Sequence, residues 1–446
     1  MSHYRSYAGY KASEVDCIGQ VPEHWDVVRV ARLGTLRKAN GGSKEDNVES
    51  GVPCVRYGDL YTTHDHWIRH TPTFVAEEKA TEYTPIRYGD VLFAASGETF
   101  EEIGKSAVNL LSEAACCGGD VILLRPSGEA DPLFLGYALD CSATQVQKAR
   151  MGKGFTVKHI YADELRNLII ALPPADEQRV IAASLDQEAA RIDALIAKKT
   201  EFIGLLNKKR QALLTNAVTK GLDPKAKMRD SGVEWLGAVP AHWKVSKLGY
   251  EVSESGGKTP STENADYWGG DVPWVTPKDM KVDVISDSID KITTTAAAEC
   301  GMATIPTGAV LAVVRGMILA HSFPVAETAG PVTINQDMKA LVPGKNLLPT
   351  YLKLVLQSAK SFVVAVLVAE AAHGTRVLRT DIWRQLPMLL PPIEEQQLIC
   401  SHVAKVVDHF AKLAALTKAS IDLLKQRRSA IITAAVTGQI DLREFV

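Results

Sequence analysis

Two stretches of the chain carry apolar residues at alternating spacings of four and three. In the first these are Leu185, Ala189, Ile192, Ile196, Ile203, Leu206 and Leu213, interrupted by Lys199 and Arg210. In the second they are Val403, Val407, Phe410, Ala414, Ile421, Leu424 and Ile431, interrupted by Thr417 and Arg428. A stripe this narrow, held over about four heptads, is the seam of a coiled coil. It predicts one long helix over 176–220 and another over 394–437. Each follows a Pro-Pro pair, Pro173-Pro174 or Pro391-Pro392. Proline halts a strand and tolerates a helix start just after it. The seams hold equivalent residues at equivalent places, so they are natural partners in an antiparallel pair with one domain near each end. The stretch 185–213 would span roughly 40 Å at about 1.5 Å per residue, slightly more than a DNA turn of about 34 Å.

The segments before each helix read differently. Short β-type runs (VPCVRY, DVLFAA, DVILLRP; VPWVTP, AVLAVVRG, KALVP) are broken by Gly, Pro and Asp. Helical stretches accompany them: DPLFLGYALDCSATQVQKAR, and PTYLKLVLQSAKSFVVAVLVAEAA. The mixture predicts α/β globular domains. The whole plan occurs twice. IGQVPEHWDV returns as LGAVPAHWKV, LPPADEQRVI as LLPPIEEQQLI, and LLNKKRQALLTNAVTKGLD as LLKQRRSAIITAAVTGQID, each 218 positions later. The expected fold is two globular α/β domains separated by two long antiparallel coiled-coil helices, with a pseudo-two-fold internal repeat. Its parts are domain one (1–175), helix one (176–222), domain two (223–392) and helix two with the C-terminal tail (393–446). The copies differ most inside their globular parts.

At 446 residues there is room for more than one domain. No apolar run reaches eighteen residues, and the polar start lacks a signal peptide's apolar stretch. Seven cysteines without CxxC spacing predict reduced thiols in a cytoplasmic protein. The net charge of −2 does not advertise nucleic-acid binding, and residues 1–175 hold 18 basic against 23 acidic side chains. Any positive surface must therefore be local. The densest run has nine Lys/Arg between Lys198 and Arg229, which also fits a solvated helix face and linker.

Catalytic patterns are missing. Gly104-Lys105-Ser106 and Gly257-Lys258-Thr259 resemble pieces of a phosphate loop, but Thr99 and Val252 stand where its first Gly belongs. Leu172 and Leu390 precede the Pro-Pro pairs where an adenine-methylating motif wants Asn or Asp. His64, His66 and His70 with Asp65 lack standard zinc spacing and read as surface loop histidines. His24 and His242 beside Trp25 and Trp243 read as packed corners. No metal site, no catalytic site and no cofactor bound by this chain are expected.

VPEHW and VPAHW, SGGKTPS (255–261), WGGDVPWVTPKDM (268–280), VRG (314–316), INQDM (334–338) and the PP-x-x-EQ helices resemble the specificity subunit of type I restriction-modification systems. The resemblance spans nearly the whole chain. Copy one departs from it, with NGGSKED (40–46) for SGGKTPS and ASG (95–97) for VRG. The resemblance implies that each globular half is a target-recognition domain reading one half of a bipartite double-stranded DNA site. It implies that the helices dock two methyltransferase subunits, that motor-nuclease subunits join that core, and that S-adenosylmethionine, ATP and Mg belong to those partners. No membrane partner is implied.

Base reading needs polar and cationic side chains on loops that approach the duplex closely, and Gly permits that approach. In copy two such residues are Lys258, Thr259 and Ser261, Thr276 and Lys278, Arg315, then Thr375 and Arg376. In copy one they are Ser43 and Lys44, Arg56 and Tyr57, Ser96, then Lys153, Phe155 and Thr156. The same residue types also populate ordinary turns. Glu177-Gln178 and Glu395-Gln396 read mainly as helix-start caps, leaving the neighbouring helix surface to carry docking. The competing reading is a non-catalytic coiled-coil scaffold whose repeated domains bind proteins. An enzyme with one site per repeat is disfavoured, because the shared residues are Gly, Pro, Trp and seam residues rather than reactive side chains.

Overall fold

The computed structural model describes residues 4–233, 236–371 and 374–443. Glu234 and Trp235 of the predicted linker lie outside them. The chain divides into two compact units, 1–200 with 418–446, and 201–417. The boundaries fall inside the two long helices, Ala175–Lys220 and Ile393–Val436, each continuous as the heptad spacing predicts.

The first unit is built on a five-stranded sheet. Its order is Gly34–Lys38, Val121–Pro126, Val91–Ala94, Ser106–Asn109, Trp67–Ile68. The central strand Val91–Ala94 is wholly apolar because both faces are covered. Val91 and Phe93 face the core shared with the long helices, whereas Leu92 and Ala94 face a second core. A second five-stranded sheet is ordered Asn47–Val48, Phe74–Val75, Val52–Val55, Ala115–Cys117, Thr84–Ile86. The strands Val52–Val55 and Ala115–Cys117 run parallel. Within this unit Ile181, Leu185 and Ile192 share a core with Ile431, Ile432 and Val436. The two helix segments therefore run antiparallel here.

The second unit repeats the plan. Its five-stranded sheet is ordered Val252–Gly256, Met338–Pro343, Val310–Val313, Val325–Thr328, Val284–Ile285. A three-stranded sheet is ordered Lys291–Ile292, Trp268–Val275, Thr333–Ile334. Leu214, Ala217 and Val218 of the first long helix share its core with Ile399 and Val403 of the second. The helix segments are again antiparallel. The seam shifts here: Leu213 is exposed and Leu214 is buried in its place. A straight helix drifts by about 20° per heptad relative to a 3.5-residue repeat, so the last turns face the globular core.

The second predicted helical stretch is not one helix. It is helical over Pro349–Ser358, passes through a wide turn at Val363–Leu367, and becomes a strand at Val368–Glu370. The run Val363, Val364, Val366, Val368 is β-branched, which disfavours helix and suits an extended chain. In the first copy the helix likewise breaks, between Pro132–Leu139 and Ser142–Met151. No single helix among the described residues is long and apolar enough to cross a membrane.

The two recurrent motifs meet each other in each unit. His24 Nε2 lies 2.8 Å from Glu177 Oε2, and His242 Nε2 lies 2.8 Å from Glu395 Oε2. Gln178 donates to the Pro173 carbonyl and accepts from the Asp131 N–H. Gln396 donates to the Pro391 and Asn346 carbonyls and accepts from the Leu348 N–H. The Glu-Gln pair is thus a clamp rather than mainly a helix cap. It ties the helix start to the Val-Pro-x-His-Trp corner and to the entry of the helix at Pro132 or Pro349. Burial requires these partners, since an unpaired buried amide costs about 1–3 kcal/mol. Trp25 and Trp243 fill the corners and are both fully buried.

Candidate nucleic-acid interface

In the first unit three segments converge at one end of the second sheet. They are the glycine loop 41–44, the strand-to-helix junction 55–57, and the turn 118–120 that follows the parallel strand Ala115–Cys117. Together with Thr62 and Thr73 they line a cleft of about 520 Å³. Ser43, Lys44 and Tyr57 stand at its exposed rim. Arg56 lies beneath and is buried. Its guanidinium donates to Asn47 Oδ1 at 2.6 and 3.0 Å, to the Gly42 carbonyl at 3.2 Å and to the Tyr83 hydroxyl at 3.2 Å. Its N–H donates to Asp59 Oδ2 at 2.9 Å. Arg56 therefore holds the glycine loop in place.

A second group adjoins the first. The Ala95 N–H donates to the Asp120 carbonyl at 3.0 Å. The next residues, Ser96–Gly97, pair with Lys158–His159. Ser96 Oγ lies 3.0 Å from His159 Nδ1. Lys153, Phe155 and Thr156 occupy the hairpin that leads into that strand, and all three are exposed. Lys153 pairs with Glu164. The eight candidates of copy one thus form one continuous band.

The second unit brings its candidates together in the same order. The loop 256–261 sits against the turn after Thr333–Ile334. A Cβ on Gly257 would lie 2.1 Å from the Ile334 and Asn335 carbonyls, so only glycine fits. Thr259 hydrogen-bonds Gln336. Lys258 donates to the Cys300 carbonyl at 2.9 Å, and Ser261 is exposed. Thr276 is buried and caps its turn through Asp279, while Lys278 is exposed and lies 3.7 Å from Asp290. The Val314 and Arg315 N–H groups donate to the Asp337 carbonyl, continuing the band. Arg315 then bridges to Val377, beside Thr375 and Arg376. Arg376 pairs with Glu370 at 3.0 Å. Among the described residues nothing pairs with the Arg315 side chain.

The sequence reading missed the aromatic side chains behind these loops. Tyr83 accepts from Arg56 and donates to Asp46 at 2.8 Å. Trp274 donates to the Lys258 carbonyl at 3.0 Å, and Trp268 meets it edge-on at 5.0 Å between centroids. Trp268 beside Gly269-Gly270 was the available signal, because a buried polar edge needs a partner, whereas Tyr83 lies far along the chain from the loop it supports and gave none.

The histidine cluster is only partly at the surface: His70 and Asp65 are exposed, but His64 and His66 are buried. Burial holds the His64 imidazole below its usual range, against the pull of Asp59. Asp65, His66 and Asp140 gather donor atoms within 4.8 Å. However, Arg428 lies 2.8 Å and Lys105 3.9 Å from Asp65, and Lys148 lies 3.7 Å from Asp140. These cations already neutralise the carboxylates. Burial raises the Asp65 carboxyl, but His66, Arg428 and Lys105 outweigh it and leave the group below the usual range. The arrangement is an ion-pair network joining the domain to the helix 418–436.

Comparison with known proteins agrees with this architecture. The family described as "Type I restriction modification DNA specificity domain" matches residues 22–203 and 240–426, one match per repeat. The specificity subunit of the type I restriction enzyme MjaIX of Methanocaldococcus jannaschii is 30% identical over 43% of this chain and 43% of its own length. That of EcoR124I/EcoR124II of Escherichia coli is 33% identical over 38% of this chain and 41% of its own. The chain thus matches less than half the length of these curated relatives. In fold it resembles a solved chain of a type I restriction-modification system, with a TM-score of 0.70 and 18% identity over 93% of this chain and 98% of that one. With both repeats matched and the frame reproduced, this chain belongs to the type I restriction-modification DNA specificity family.

Proposed function

We propose that the chain is the DNA-reading subunit of a type I restriction-modification complex, with each unit reading one half of a bipartite site. The observation that carries this is the repeated band. Loops chosen in the second copy for polar and cationic residues beside Gly, and their equivalents in the first copy, come together within each unit. Two modest half-site affinities on one chain reinforce each other, because the second contact is intramolecular. Phosphate contacts would set the register, and the exposed tips of the band would read bases.

The chain contributes no chemistry in this reading. The side chains common to both units clamp and pack, and no nucleophile, base and oxyanion site assembles among them. Methyl transfer belongs to two methyltransferase subunits, with motor-nuclease subunits joining them. S-adenosylmethionine, ATP and Mg are held by those partners. Docking falls on the long helices, where Leu205 (54% exposed) and Leu423 (65% exposed) recur 218 positions apart and off the seam. Exposed leucines at equivalent points fit two copies of one partner.

The test is co-purification with candidate methyltransferase subunits, followed by sequencing of methylated adenines. Two methyltransferases per chain by light scattering, and a split recognition sequence, are expected. One methyltransferase per chain, or methylation without a split site, would contradict the reading.

A further inference from the structure

We infer that Phe155 is a wedge that enters a base step of the half-site read by the first unit and unstacks it. This rests on the proposed DNA-reading function and specifies how one half performs it. Phe155 is 96% exposed, more than any other large hydrophobic side chain among the described residues. It does not sit on a loose tail. Lys153 and His159 bridge across the hairpin through two backbone hydrogen bonds, of 2.8 and 2.6 Å. Gly154 turns the chain at φ +111°, where a Cβ would lie 2.2 Å from the Val157 carbonyl. Lys158 Nζ donates back to the Gly154 carbonyl at 3.3 Å and to the Phe155 carbonyl. The same ammonium lies 4.5 Å from the centroid of the Phe100 ring. The hairpin is therefore tied at its base, at its turn and across its tip, and it presents an apolar ring outward.

The ring's position gives it an occupant. The hairpin returns through Lys158–His159 onto Ser96–Gly97, the inner part of the band described above. Its exposed apolar neighbours in the chain are Val157 and Tyr161, each about half exposed and interleaved with Thr156, Lys158 and His159, so no broad apolar face is built there. An almost fully exposed aromatic ring, held rigidly at the tip of a hairpin that also carries Lys153, Thr156 and Lys158, fits insertion between stacked bases, which unstacks the step and kinks the duplex.

The test uses the full chain with its methyltransferase subunits and duplexes selected by that complex from a random-sequence library. 2-Aminopurine is then placed at successive positions of both half-sites. With the unsubstituted chain, fluorescence should rise several-fold at one step of one half-site. Phe155→Ala should abolish the rise and weaken binding ten- to a hundredfold. Phe155→Leu, which keeps an apolar wedge, should retain much of both. An unaltered thermal melt would show that the exposed substitution leaves the fold intact. No rise at any position, or a rise that survives Phe155→Ala, would overturn the inference while leaving the DNA-reading role standing. Loss of methyltransferase binding by Phe155→Ala, with unstacking unaffected, would also overturn it and make the ring a protein contact. Failure of the unsubstituted complex to enrich any duplex would instead overturn the DNA-reading role, and the wedge with it.

Discussion

The two units share a frame and differ at its tips. Both have the same five-stranded order and the same clamp of His, Glu and Gln around a buried Trp. Beneath the glycine loop, however, the first unit uses Arg56 and Tyr83, and an open cleft remains. The second uses Trp274 backed by Trp268. Farther along the band the first unit presents Phe155 and the second Arg315. The comparison teaches that the residues recurring at a fixed offset build the scaffold. Those that do not recur are where the two halves can differ in what they read.

A shared frame predicts equal penalties. Trp25→Ala and Trp243→Ala should each destabilise their own unit by about 3–5 kcal/mol, the usual cost of emptying a buried large aromatic site. Denaturant unfolding of the full chain should show one early transition in each variant. A large loss in one and none in the other would break the equivalence. The tips should behave unequally. Arg56→Ala removes a buried guanidinium that serves three acceptors, so a loss of about 1.5–3 kcal/mol is expected. Because Arg56 supports the loop rather than touching phosphate, half-site affinity should fall while the salt dependence of binding stays the same.

Much of this was legible in the sequence. The heptad spacing gave both long helices to within a residue at either end. The loops chosen by Gly, Lys, Arg and Thr chemistry proved to be neighbours. The break at 359–370 was harder to see, because an apolar run reads alike as buried helix or strand until its β-branched content is weighed. The role of Glu177-Gln178 was hidden because a clamp needs partners far away in sequence, at His24 and Asp131. His64 and His66 read as exposed because their surroundings in the chain are polar, yet His66 packs against Tyr137 and lies beside Asp140, partners far away in sequence.

Two smaller effects sharpen the contrast. Arg315→Ala should cost about 1–3 kcal/mol of binding and relax one position of one half-site, if its free guanidinium meets a base. Arg376→Ala should cost less, since Glu370 already holds that side chain. Equal effects from the two, read by competition binding on single-base variants, would contradict the assignment. The smallest effect concerns pH. His64 is held neutral by burial, so the unfolded chain gains a proton more readily than the folded one. Its contribution is complete above the unfolded value near 6.5 and is lost as pH falls through it toward the lowered folded value. His64→Val should therefore flatten the acid-side fall in stability of the first unit and leave the second unchanged, as followed by thermal melts between about pH 7 and pH 5.

The central claim is that the two bands are separate readers on one frame. Replacing residues 236–390 with the matching domain of another family member, then sequencing methylated adenines, tests it most directly. One half of the recognition sequence should change while the other half keeps every base. A change in both halves, or in neither, would contradict it.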